Sequence, residues 1–421
     1  MIEPAPAAKP APWHTWSIQL LLSVGVLIAY ADRASLAAAL AHKGFIDAFA
    51  MTTVDRGLLG SAIFWSYALA QIPMGWLVDR YGVKWPYAVF FAVWCLATAG
   101  AGLTSVFATL FAMRFLVGAA EAIVMPASYR WMRDNLSERH IGMAIGLFTC
   151  GNKIGTAIGT PVAAWLIVQS GWRSMFLVTG GLGMIWLVPW LAFVRADLPR
   201  RGSERAAAMA RAATVPLGNI LRSPVVWGAV IGNFCYSYFV FYCMTWMPSY
   251  LVEQRGLSLE TSSLYTFFSF GGIAIVTIVA GAAADRMIVR GRDPVSVRKS
   301  FTVAGYVGGA TVVFGAYAHS LDWALFWNVF SLTCLGLASA NSLALTKVTL
   351  VPAPAVGMVV GVQHVAAGLS GGLAASLSGW LLHVSGGYDL PILAVVGFLA
   401  LGALATVVLL RPEWSPRVET V

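Results

Sequence analysis

The sequence predicts an all-α membrane protein: twelve transmembrane helices in two six-helix bundles, with both termini cytoplasmic. Three observations lead there. The 421 residues are 59% hydrophobic and only 11% charged, with a mean hydropathy of +0.76, whereas a soluble chain carries about a quarter charged residues. Apolar runs of about 20 residues, each long enough to cross hydrocarbon as a helix, recur along the chain. Of the 27 Lys and Arg, 20 fall on one side of the resulting array and four on the other, which places the rich side in the cytoplasm. Seventeen Trp and forty-two Gly agree, since Trp favours the interface and Gly permits close helix contact.

The first sixteen residues, MIEPAPAAKPAPWHTW, are rich in Pro and Ala and lead into a full-length apolar segment, so a tail over 1–15 and no cleavable signal are expected. Spans follow near 16–40, 56–78, 85–103, 106–130, 140–168 and 174–194, which make the N-terminal bundle, 16–194. The polar stretch 195–224 is the cytoplasmic linker; among its charges are Arg195, Arg200, Arg201, Arg205 and Arg211. Spans near 225–250, 261–284, 299–318, 323–349, 356–383 and 391–410 make the C-terminal bundle, 225–410, and 411–421 is a cytoplasmic tail. The four outer basic residues are Lys43, Arg56, Arg173 and Arg255. The five cysteines lie within apolar segments without metal-ligand spacing, so neither a metal site nor a disulfide is expected.

The two halves repeat. GWLVDRYGVKW (75–85) follows the second span and GAAADRMIVRGR (281–292) the eighth, and Asp79 and Asp285 stand 206 residues apart. Parallel repeats with a midplane site between them are a transporter architecture. The first copy resembles the signature loop of the major facilitator superfamily at Gly75, Asp79, Arg80, Gly82 and Lys84. That resemblance implies a breakable latch of Asp79 and Arg80 with Arg130 and Arg133, in which Asp79 caps a helix of the other half.

Five ionisable residues lie well inside spans: Asp32, Arg33, Arg114, Glu121 and Lys153. Each costs about 2.5–3.5 kcal/mol at the bilayer centre on insertion scales, so they face a wet cavity or one another. Arg114 and Glu121 are seven apart, nearly two turns, and point the same way. Three cations and two carboxylates leave one positive charge, which one anion neutralises. A proton on one carboxylate raises it to two, which suits a dianion or holds a monoanion with charge to spare. Proton and anion binding then favour each other. The proton is the coupling ion, and no cofactor is implied. No nucleophile–base pair, metal cluster or phosphate loop points to an enzyme, and the net charge of +9 reads as topology rather than nucleic-acid binding.

The stretches YADRASLAAA, ALAQIPMGWLVDRYG, RFLVGAAEAIVMPAS, GWRSMF and TWMPSYLVEQRGLS resemble the anion:cation symporter family, which includes bacterial sugar-acid and phthalate-type carriers and the animal sialate and vesicular glutamate carriers. The resemblance runs from about residue 15 to 410. It implies the major facilitator fold, proton coupling at Asp32 and Glu121, anion binding or gating at Arg33 and Arg114, and a substrate site lined by Tyr30 and Tyr67. All five charges are then expected to meet in one cavity. The chain departs from the sugar-acid pattern at Asn152-Lys153 and at Gln363-His364. Lys153 either binds a second anionic or strongly polar group of the substrate or pairs with Glu121 or Asp32. His364 either borders the cavity or packs between helices. Tyr238, Tyr242 and Trp246 form one stripe, and Tyr242 is assigned to the cavity wall.

The expectation is therefore a monomeric carrier in a bacterial cytoplasmic membrane that imports a small organic anion (sugar acid, dicarboxylate or aromatic carboxylate) by proton symport. Its partners are the anion, the proton and the lipid bilayer. The alternative is an organic-anion exchanger or a proton-antiport exporter on the same fold.

Overall fold

The computed structural model describes residues 12–195 and 217–416. Most of the 1–15 tail, the linker residues Arg200, Arg201, Arg205 and Arg211, and Arg417 lie outside the described residues. Within them the chain is helical: α1 (Pro12–Ala41), a short α2 (Lys43–Ala48), α3 (Thr53–Tyr81), α4 (Lys84–Leu103), α5 (Phe107–Glu121), α6 (Val124–Asn135) and α7 (Glu138–Phe193). After the linker come α8 (Leu217–Arg222), α9 (Pro224–Glu253), α10 (Leu259–Val289), α11 (Pro294–Ala310), α12 (Val312–Ala316), α13 (Leu321–Ala344), α14 (Ala353–Ser385) and α15 (Asp389–Leu409).

Nine of these segments, among the described residues, are long and apolar enough to span a membrane, fewer than the twelve runs read from the sequence. The difference has physical causes. The 56-residue α7 holds both the fifth and sixth runs and bends at Gly171, whose φ of 82° leaves the helical region. Helix α3 is less apolar than most of the long helices, and α11 has only 17 residues because the ninth run breaks at Thr311. The fourth run also breaks, between Glu121 and Val124. Pro126 lacks an N–H and its ring clashes with the carbonyl four residues back, which loosens the helix there. Thr52 and Asp55 start α3 with a reciprocal capping box, and Ser258, Asp293 and Ser320 cap α10, α11 and α13.

One buried cluster draws on residues 18–194, including Leu22, Phe91, Trp94 and Trp190. Another is centred on residues 238–399, including Tyr238, Trp246 and Tyr306. The repeat extends to packing. Lys84, at the start of α4, donates to the Leu191 carbonyl near the end of α7 at 2.9 Å. Lys299, near the start of α11, donates to the Val407 carbonyl near the end of α15 at 2.7 Å. Each cation meets carbonyls that a helix C-terminus leaves unsatisfied.

On the side that carries α2, helices α3 and α14 touch backbone to backbone. A Cβ on Gly379 would lie 2.6 Å from the Thr53 carbonyl oxygen, and one on Gly57 2.8 Å from that of Ala375. Arg56 of α3 is buried there and pairs with Glu253 of α9 at 2.7 Å; Tyr388 donates to the second Glu253 oxygen at 2.7 Å. Arg56 also lies 5.2 Å from the centre of the Trp246 ring. This residue, counted from sequence among the outer-loop charges, is part of a seal. Adding a side chain to a filled site of this kind costs typically about 1–3 kcal/mol. Gly379→Leu is therefore expected to force α3 and α14 apart and lower the melting temperature of the detergent-solubilised protein, whereas Gly387→Leu, where no atom lies within 4 Å, is expected to change it far less.

Candidate functional site

Asp32 and Arg33 are neighbours on α1, so they project about 100° apart and meet different partners. Asp32 turns into the bundle, where its Oδ2 accepts from Trp94 Nε1 at 3.2 Å and Thr98 Oγ1 at 3.1 Å, both on α4. The Arg114 guanidinium of α5 lies 3.5 Å from the same oxygen. Arg33 turns the other way. Its Nε donates to Glu121 Oε2 at 2.6 Å, and its guanidinium lies over the rings of Tyr30 and Tyr67, at 4.9 and 4.5 Å from their centres. Glu121 is the last residue of α5, just before the helix breaks.

Beside Arg33 opens a cavity of about 270 Å³. It brings together Tyr30, Arg33, Tyr67, Asn152, Lys153 and His364, six of the residues singled out from sequence. His364 belongs to the wall that faces the others, which is polar, with Asn233, Tyr236 and Ser237 on α9, Ser339 and Ser342 on α13, and Gln363 beside His364 on α14. Asn233 is fixed by donating to the Gln363 carbonyl at 2.9 Å. No carboxylate lines the cavity among the described residues. Toward the α2 side the lining stops at Arg33, Phe64 and Phe241, and the seal at Gly57 and Gly379 lies beyond.

Four expectations change. The five charges do not all meet in the cavity: Arg33 and Lys153 line it, whereas Asp32, Arg114 and Glu121 sit behind the wall, with Arg114 and Glu121 at 0% exposure. The reason is mutual neutralisation, which a desolvated pair needs. Lys153 belongs to neither ion pair, so the pairing read as an alternative for it is not formed. Tyr242 is not a wall residue. It packs in the core with Tyr238 and Trp246, whose stripe faces α14 and α15: Tyr238 stacks 4.2 Å from Phe398, and Trp246 donates to the Ala375 carbonyl at 3.1 Å. Asn233, Tyr236, Ser237, Val240 and Phe241 of α9 face the cavity instead.

The latch is also simpler than expected. Asp79 is well exposed and lies 3.8 Å from Arg130, which also donates to the Val78 carbonyl and pairs with Asp134 at 3.4 Å. Arg133 pairs with Asp134 as well, at 3.7 Å. Arg80 lies against the rings of Trp76 and Tyr81 instead. Among the described residues Asp79 caps no helix of the other half. The second copy forms its own pair, Arg298 to Asp285 at 2.8 Å.

Two features escaped sequence reading. Arg56 and Glu253 sit at span ends, where charge reads as topology, and only their meeting in space reveals the seal. Trp94 and Thr98 lie in an ordinary apolar run, and nothing in its pattern marks them as donors to Asp32. A larger groove of about 840 Å³ between α10 and α13 is lined by Phe268, Ile275 and Phe326, all exposed, as suits a surface in contact with lipid.

A model of the Major Facilitator Superfamily matches residues 22–350. The D-galactonate transporter of Escherichia coli is 27% identical over 96% of this chain and 97% of its own length. The probable sulfoacetate transporter of Cupriavidus necator is 28% identical over 90% of each. Among solved structures, a bacterial homolog of the human lysosomal transporter Spinster, inward-facing and unoccupied, superposes with a TM-score of 0.76 at 16% identity, covering 97% of this chain and 100% of that one.

Arginine cannot shed its proton in a protein, and removing one partner of a buried pair typically costs about 3–5 kcal/mol. Asp32→Leu therefore strands the Arg114 charge and is expected to lower the melting temperature strongly. The double variant Asp32→Leu, Arg114→Leu is expected to recover much of the loss, which a double-mutant cycle measures.

Proposed function

The chain belongs to the Major Facilitator Superfamily, a family of transporters rather than enzymes, and from that premise we propose that it imports a small organic anion by proton-coupled symport. The observation that carries this reading is Arg33: held over two tyrosine rings at the cavity wall, it is bonded to a fully buried glutamate. A substrate carboxylate and Glu121 compete for the same guanidinium. When Glu121 takes a proton its hold on Arg33 weakens, and Arg33 is free to grip the substrate bidentately. When the anion leaves, Arg33 returns to Glu121 and the proton is released. Each ligand therefore raises affinity for the other, as symport requires.

In this proposal Asp32 and Arg114 hold α1 against α4 and α5 and serve as a reserve proton and anion site. Tyr30, Tyr67 and Asn152 orient the substrate, and the polar wall of α9, α13 and α14 contacts its uncharged part. The carrier works as a monomer of twelve spans, 16–194 and 225–410 forming two bundles joined by the linker. Both termini are cytoplasmic in a bacterial inner membrane, and the seal on the α2 side closes the outer face. Asp79, Arg80, Arg130 and Arg133 act at the inner face. The substrate is a sugar acid, dicarboxylate or aromatic carboxylate. The names of the relatives, galactonate and sulfoacetate transporters, support an organic acid.

In proteoliposomes, a proton gradient directed inward is expected to drive accumulation of the transported acid. Glu121→Gln is expected to abolish accumulation and retain part of the exchange of labelled for unlabelled anion. Accumulation indifferent to the gradient would sink the symport reading and leave anion exchange; accumulation driven by an outward proton gradient would instead identify an exporter.

A further inference from the structure

We propose that Lys153 makes this carrier select substrates with two acid groups, one held by Lys153 and the other by Arg33. The proposal rests on reading the cavity as the anion site. It starts from a count of charge. Arg33 is matched by Glu121 and Arg114 by Asp32. Lys153 lies outside both pairs, and no carboxylate lines the cavity among the described residues. Three cations, Arg33, Arg114 and Lys153, against the two partnered carboxylates leave one positive charge, and it sits on Lys153.

The two cations occupy different levels. Helices α1 and α7 run side by side in one direction: Gly151, Gly155 and Gly159 pack against Ser23, Leu27 and Ala31. That register sets Lys153 beside residue 25 of α1, eight residues short of Arg33, or roughly 12 Å along the helix axis. Both side chains line the same cavity. A single carboxylate at the Arg33 level leaves the Lys153 level unfilled, whereas a molecule with an acid at each end fills both.

The transport cycle sharpens the choice. Once Glu121 is protonated, Arg33 and Lys153 together present two positive charges. A dianion makes the loaded cavity neutral; a monoanion leaves one charge without a partner, which is costly at membrane depth once the cavity closes. The wall opposite offers amides, hydroxyls and the His364 imidazole but no lysine or arginine, so one further acid group is the limit.

The test uses acids matched in skeleton and differing in one acid group at the far end: galactonate against galactarate, hexanoate against adipate, and benzoate against terephthalate. Binding is measured on the purified full chain and uptake in proteoliposomes. At least one pair is expected to show the diacid bound tenfold or more tighter than the monoacid. Lys153→Gln is expected to cut that preference at least tenfold, and Lys153→Arg to restore most of it. A wild-type carrier that takes monoacids as well as their diacids overturns the proposal, and so does a Lys153→Gln variant with its preference intact. If Lys153→Gln fails to fold by size-exclusion chromatography, the wild-type preference and Lys153→Arg decide. Failure to take up any member of any pair, by gradient or exchange, overturns the anion-carrier reading itself.

Discussion

In the hydrocarbon interior a charge without a counter-charge costs several kcal/mol, and α1 brings two such charges side by side at Asp32 and Arg33. Because neighbours on a helix point about 100° apart, no single partner serves both. Helix α5 answers with Arg114 for Asp32 and, seven residues on, Glu121 for Arg33. Two charges on one helix are thereby cross-matched to two on another, and this fixes the register of α1 against α5. The Trp94 and Thr98 donors then set α4. The position of the cavity follows: it opens where Arg33, Tyr30 and Tyr67 emerge from this arrangement.

The charges and the repeat were legible in the sequence because both are local in it. Asp32, Arg33, Arg114, Glu121 and Lys153 stand out against apolar neighbours, and the Asp79 and Asp285 loops repeat at a fixed interval. Six of the singled-out side chains do gather in one cavity. What composition does not encode is which side of a helix meets which neighbour. Tyr238, Tyr242 and Trp246 form a stripe as expected, yet α9 is rotated so that the stripe enters the core and Asn233, Tyr236 and Ser237 face the cavity. Hydropathy likewise hides the breaks at Gly171, Thr311 and Glu121, which depend on backbone angles and a single proline rather than on apolar content.

The breaks have a positional logic. If α5 and α6 formed one straight helix, Glu121 would be an interior residue of it. With α5 ending at Glu121, the carboxylate sits at a helix terminus beside two residues outside regular helix. There it reaches Arg33 while its second oxygen carries no hydrogen bond among the described residues. Asp32 likewise leaves one oxygen, Oδ1, without a hydrogen bond among the described residues, while its Oδ2 meets Trp94, Thr98 and Arg114.

The two faces of the molecule differ in the same terms. At the α2 side the halves are joined by backbone contact at Gly57 and Gly379 and by the pair of a buried Arg56 with a half-buried Glu253. At the other side Asp79 and Asp285 are exposed and paired within their own halves. Opening this side takes the buried Arg56 from its partner, whereas an exposed pair within a half contributes little and exchanges partners at little cost. On the proposed cycle, then, the inner face opens and closes readily and the outer seal is the harder step. A charge left unmatched in the cavity would burden that step further, because the closed intermediate holds it away from water on both sides. Charge balance in the cavity and release of the Arg56–Glu253 pair therefore act on the same transition, and a substrate that neutralises both Arg33 and Lys153 eases it most.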